Sequence, residues 1–128
     1  MGDTTRSRIL LVDDHEVLRK GIRSTLDGQW EICGEAASGQ EAIEKAAALK
    51  PDLVLMDVSM PEMNGIEATK QVLKAAPAMK IVIFTMHDSP GMVEAAKAAG
   101  AKACLTKTVP ADQLRRVIAE VLSHKSSS

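Results

Sequence analysis

Five side chains in this sequence have the types and spacing to handle a phosphoryl group: the acid pair Asp13 and Asp14, the single acid Asp57, the hydroxyl of Thr85 and the amine of Lys107. Each ends or directly follows a short apolar run, and runs that short read as strands buried on both faces of a sheet. A carboxylate carried to the end of such a strand is not core filling, because an unpartnered buried charge is costly; it meets solvent, cations or donors. Three acids gathered in one crevice raise one another's pKa unless a cation joins them. Magnesium suits a shallow site with one or two carboxylates, a backbone carbonyl and retained waters, and it commonly holds a phosphate as well. Lys107 and Thr85 then supply a point cation and a donor for phosphoryl oxygens. Asp57 is the natural nucleophile, since carboxylates form aspartyl phosphates. His15 and His87 are expected in different loops without partners, so no softer metal competes. Taken singly, Asp13 or Asp14 could cap a helix, Thr85 could end a strand and Lys107 could be solvated. Their joint placement at four strand ends is what argues for phosphoryl transfer.

The elements that must position these groups follow from the pattern of apolar residues. A strand over residues 8–12 leads into the acid pair, and Val17, Leu18, Ile22 and Leu26 then recur at helical spacing until Gly28. Residues 30–36 alternate in polarity, as expected of a strand at a sheet edge. Ser38 to Glu41 forms a capping box for a second helix ending near Leu49. The third strand, residues 53–56, is bounded by Pro51 and Pro61 and delivers Asp57. Asn64 and Glu67 repeat the cap logic for a third helix with Ile66, Thr69, Val72, Leu73 and Ala76 inward, closed by Pro77. A strand over 80–85 delivers Thr85, and a helix over about 91–99 is ended by Gly100. The last strand, 103–106, delivers Lys107. Pro110 suits the first turn of a final helix whose inward stripe is Leu114, Val117, Ile118 and Val121. Residues 123–128 read as a tail or the start of a linker, leaving a single domain over 1–128 with its core at about 8–122.

Five strands alternating with five helices predict an α/β fold: a doubly wound five-stranded parallel sheet, (βα)5 and flavodoxin-like, in strand order 2-1-3-4-5. In such sheets the functional crevice lies beyond the carboxyl ends of the strands, where strands one and three part.

Composition excludes several alternatives. The chain has 128 residues with 16 basic and 17 acidic side chains, and its net charge of -1 gives no footprint for nucleic acid. One Trp, one Phe and no Tyr leave no platform for stacking bases. No stretch approaches the roughly 20 apolar residues of a membrane span, and the first residues are short and polar rather than a signal sequence, so a cytoplasmic protein is expected. Cys33 and Cys104 show no metal-ligand spacing and are expected to be small buried apolar residues.

The segments Val-Asp-Asp-His-Glu, Met-Asp-Val-Ser-Met-Pro-Glu-Met-Asn-Gly and Thr-Lys resemble the receiver domain of two-component response regulators, in particular the NarL/FixJ (LuxR) type. The resemblance runs from Arg8 to about Leu122. It implies a phosphoacceptor domain rather than an enzyme in its own right: Asp57 accepts phosphate from a sensor histidine kinase, Asp13, Asp14, Asp57 and the Ser59 backbone carbonyl bind magnesium, and Thr85 and Lys107 bind the phosphoryl group. It further implies homodimerisation on phosphorylation, signalling through the surface of helix four, strand five and helix five, and control of transcription by a C-terminal helix-turn-helix domain absent from this segment. A stand-alone receiver acting by protein contact is the alternative output. Two positions depart from the family: Cys104 replaces the usual aromatic or His three residues before the lysine, and Thr108 replaces the common Pro or Asp after it.

Three other classes fit less well. A flavin carrier of the same fold needs a loop rich in hydroxyls and glycine after strand one, and Asp13-Asp14-His15-Glu16 would repel its phosphate. A haloacid-dehalogenase-like phosphatase places its acids two residues apart and needs a longer chain. An interaction module with a dead site would be expected to lack at least one of the five groups.

Overall fold

The computed structural model describes residues 6–60, 62–86 and 89–123. In chain order the elements are β1 (Arg8–Val12), α1 (Glu16–Leu26), β2 (Glu31–Ala36), α2 (Gly39–Leu49), β3 (Leu53–Met56), α3 (Gly65–Ala75), β4 (Lys80–Thr85), α4 (Pro90–Ala99), β5 (Ala103–Thr106) and α5 (Ala111–Ser123). The five strands pair in parallel in the order β2-β1-β3-β4-β5, as the sequence predicts.

Alternation along the strands divides the core into two layers. Leu10, Val12, Val54, Met56, Ile81 and Ile83 face one side, where Ala42 and Ala46 of α2, Ala68 and Val72 of α3 and Ala96 of α4 cover them. Ile9, Leu11, Leu53, Leu55, Val82 and Phe84 face the other, under Leu26 of α1 and Leu114, Ile118 and Val121 of α5. Both faces being covered explains why the strands read as continuous apolar runs, and each such side chain stabilises the fold by about 1.5–3 kcal/mol.

Local signals set the helix ends. Ser38 Oγ accepts from the Glu41 amide at 3.1 Å, and Glu41 answers by accepting from Ala37 at 2.7 Å, one residue ahead of the capping-box position. Asn64 Oδ1 accepts from the Glu67 amide at 2.9 Å. Helix α4 starts at Pro90, slightly earlier than expected, with Ser89 as its cap, and Gly100 closes it at φ 108, a conformation that favours glycine. The Pro110 carbonyl accepts from Leu114, so Pro110 precedes α5 instead of lying within its first turn. Ser123 is the last residue of α5, and the rest of the expected tail, with His87 and Pro61, lies outside the described residues.

Two expectations about packing need correction. The stripe on α1 is only half covered: Leu26 is buried, but Val17 is 81% and Leu18 39% exposed. Periodicity reveals an apolar face but not whether another element covers it. Cys33 and Cys104 are half-buried rather than buried, and neither is in a disulfide. They lie on strands at opposite sheet edges. Four strand spacings separate those edges by about 19 Å, well past the ~7 Å that a disulfide spans between Cα atoms. Cys33 is the residue skipped where the β1–β2 register shifts between Ile9 and Leu10, an edge bulge. Among the described residues no helix is long and apolar enough to cross a membrane.

Candidate functional site

The sheet ladder continues one residue beyond the strands, and that extension holds the acids. The Asp13 amide donates to Ala36 at 3.0 Å, the Asp57 amide to Val12 at 2.9 Å, and the Lys107 amide to Thr85 at 2.8 Å. These positions are therefore fixed by core strands rather than by loose loops. Asp13, Asp57 and Thr85 are 2%, 3% and 0% exposed. Behind Asp57 the chain turns so tightly that a Cβ on Gly65 would lie 1.9 Å from the Asp57 carbonyl oxygen. The turn is tied by the Gly65 amide donating to Val58 at 2.9 Å and by the Thr69 hydroxyl donating to Gly65 at 2.7 Å.

Lys107 is the cation that joins two of the acids. Its side chain is 6% exposed, with the ammonium against Asp13 Oδ2 and 3.4 Å from Asp57 Oδ2. The Asp57 carboxyl is nevertheless pushed above its ordinary range, chiefly by burial; Lys107 opposes the shift, Asp13 adds to it, and a hydrogen bond from the Ser59 amide opposes it. The opposite face of Asp13 looks elsewhere. Its Oδ1 accepts from the His15 amide at 2.8 Å and lies 3.2 Å from His15 Nδ1. Asp14 Oδ1 lies 3.0 Å from the same ring nitrogen, yet it is buried and has no hydrogen bond. His15 thus belongs to the cluster, contrary to the expectation that it has no partner. A single histidine among acids carries no sequence signal of its orientation, although its adjacency to the acid pair was visible.

The fit to a divalent cation can be judged from the donors. Asp13, Asp14, His15 and Asp57 each offer an atom, all within 4.8 Å of one another. Carboxylate oxygens suit a hard cation, and the buried Asp14 oxygen without a hydrogen bond is the kind of atom that a metal satisfies. The residues present therefore fit magnesium. Ser59 stands beside Asp57 through its amide.

Sequence reasoning also missed Arg19, whose guanidinium donates to the Asp13 carbonyl and, at 2.8 Å, to Glu35 of β2, tying the acid loop to the sheet edge. Concavities larger than the crevice at Asp13 and Asp57 lie among the described residues. An apolar groove of about 570 Å³ at the amino ends of the strands, lined by Ala46, Val72, Met79 and Leu122 among others, contains no acid cluster. A shallower one of about 290 Å³ joins Val17, Leu18, Phe84 and Val109 to Lys107. Chemistry, not size, locates the site at the carboxyl ends.

Residues 9–119 match the response regulator receiver domain. The response regulator protein VraR of Staphylococcus saprophyticus is 42% identical over 121 residues, covering 93% of this chain and 58% of that protein. The chain thus spans a little over half the length of that relative. Among solved structures, a LuxR-family two-component response regulator from an Aurantimonas species superimposes with a TM-score of 0.90 at 35% identity, over 93% of this chain and 86% of that one. The signal receiver domain of the NarL response regulator from Mycobacterium tuberculosis gives 0.88 at 27% identity, over 94% and 99%.

Proposed function

The chain belongs to the response regulator receiver domain family, and from that premise we propose that it accepts a phosphoryl group from a sensor histidine kinase onto Asp57. The observation that carries this is the buried convergence of Asp13, Asp57 and Lys107, held by ladder hydrogen bonds at the ends of β1, β3 and β5.

An ionised Asp57 oxygen attacks the phosphorus of a phosphohistidine, the P–N bond breaks, and the electron pair leaves with the imidazole, which takes up a proton; the product is an acyl phosphate. Lys107, already at the Asp57 carboxylate, exchanges that contact for a phosphoryl oxygen, and the Thr85 hydroxyl donates to another. Asp13, Asp14, Asp57 and the Ser59 carbonyl hold magnesium, which when bound neutralises the charge of acids and phosphate. Burial of Asp57 strengthens every one of these electrostatic contacts.

The donor protein must reach a recessed carboxylate, and the exposed Val17 and Leu18 beside Lys107 offer it an apolar footing. Phosphorylation would draw in Thr85 and Lys107 and bias the surface of α4, β5 and α5 toward homodimerisation. Residues 1–128 act as one receiver domain in the cytoplasm. They do not themselves bind nucleic acid, and regulate transcription through a helix-turn-helix domain that the longer relatives leave room for.

Incubation with acetyl phosphate, followed by intact mass, tests the assignment. We expect a single magnesium-dependent phosphoryl adduct on the wild type and none on Asp57→Asn. Equal uptake by the variant, or uptake unaffected by chelation, would refute it.

A further inference from the structure

We propose that His15 is an additional protein donor to the divalent-cation site, and that its imidazole makes the site prefer imidazole-binding cations such as Zn2+ over Mg2+. This rests on the cation site of the proposed function. His15 Nδ1 lies 3.0 Å from Asp14 Oδ1 and 3.2 Å from Asp13 Oδ1. Zinc bonds of about 2.0–2.2 Å to nitrogen and oxygen place neighbouring ligand atoms about 3.0–3.4 Å apart, depending on geometry. The two separations are those of one coordination sphere. Hydrogen bonding does not account for both: a neutral imidazole carries one ring proton, so Nδ1 serves at most one acid well. Asp14 Oδ1, buried and without a hydrogen bond, is the acid left over.

The arrangement also has a direction. Lys107 occupies the Oδ2 atoms of Asp13 and Asp57, whereas His15 and Asp14 gather at Asp13 Oδ1. A cation on the His15 side need not displace the ammonium. His15 precedes α1 at the cap position but makes no side-chain cap bond, so its ring has no helix-ending task that would explain its placement. It is also accessible, with a side chain 63% exposed. Magnesium prefers oxygen and retains water, while zinc binds imidazole readily and stands far higher in affinity for mixed nitrogen and oxygen sites.

Calorimetric titration of the whole chain with Zn2+ and with Mg2+, at a pH near 7.5 where a free imidazole is neutral, decides the matter. We expect the wild type to bind zinc more tightly than magnesium. His15→Ala should weaken zinc by at least the roughly 10–100-fold that losing even an outer-shell partner costs, and weaken magnesium by a smaller factor than zinc. His87→Ala and His124→Ala should change neither, and zinc should shift the ring nitrogen resonances of His15. Magnesium binding together with unchanged zinc affinity in His15→Ala, or zinc affinity that follows His87 or His124, overturns the proposal. Failure of the wild type to bind magnesium would instead remove the phosphoryl-transfer site on which it stands.

Discussion

Asp57 at the end of β3 and Glu35 on the edge strand β2 both lie against cations, yet their carboxyl groups move in opposite directions. Glu35 accepts from Arg19 at 2.8 Å and from Arg23 at 3.0 Å, and these guanidinium hydrogen bonds, that of Arg19 first, hold it below the ordinary carboxylate range. Asp57 has the Lys107 ammonium at 3.4 Å, but burial outweighs it and Asp13 adds repulsion, so the group is held above that range. At the half-exposed edge the partners win and the acid is a clamp between α1 and the sheet. In the crevice desolvation wins, leaving a carboxylate whose charged form would gain from a further cation.

The largest expected effect comes from disturbing the turn that positions Asp57. A methyl group at Gly65 meets a backbone oxygen, not a flexible side chain. Gly65→Ala should therefore destabilise the fold by about 3 kcal/mol or more. Urea unfolding measures this, and a loss under about 0.5 kcal/mol would show that the close approach relaxes freely. Next, Asp57→Asn should stabilise the domain at neutral pH by about 1 kcal/mol, because it removes a charge that burial penalises. With its folded pKa raised, Asp57 contributes stability that is full below its unfolded pKa and lost as pH rises through the folded value. The advantage of the amide should accordingly fade on acidification, and a variant less stable than wild type at pH 7 would contradict the ordering of the two terms. The smallest effect sharpens the other side of the comparison. Glu35→Gln should cost about 1 kcal/mol or less, since the pair is partly screened. Its folded pKa is lowered, so its contribution is present above the unfolded pKa and lost as pH falls through the folded value. Thermal melts across pH 3–7 should show the gap between Glu35→Gln and wild type closing in acid.

What was legible in the sequence was whatever a local period or cap encodes. The runs 9–12, 53–56 and 81–84 read as strands covered on both faces and carried Asp13, Asp57 and Thr85 to one edge, and the shorter run 103–106 brought Lys107 there. Ser38, Asn64 and Gly100 marked helix ends by their own chemistry. Contacts between distant segments were not legible. Nothing in Arg19 announces that it reaches the Asp13 carbonyl and Glu35 together. Val17 and Leu18 are exposed on the apolar face of α1, and no periodicity reports whether a partner element covers that face. His15 was misjudged because its partners are its own neighbours, and only the turn after β1 decides whether the ring folds back on them.

The ion pair between Lys107 and Asp13 joins residues 94 positions apart. During synthesis at a ribosome, Asp57 and both leading acids emerge well before the lysine, and the edge strand that precedes it pairs with β4 alone. Closing so long a loop is a slow, late step in folding. A nascent or truncated chain ending before Lys107 would leave Asp13 and Asp57 facing each other without their bridging ammonium. Assembly of this charge cluster is therefore a property of the finished domain, imposed by chain topology alone.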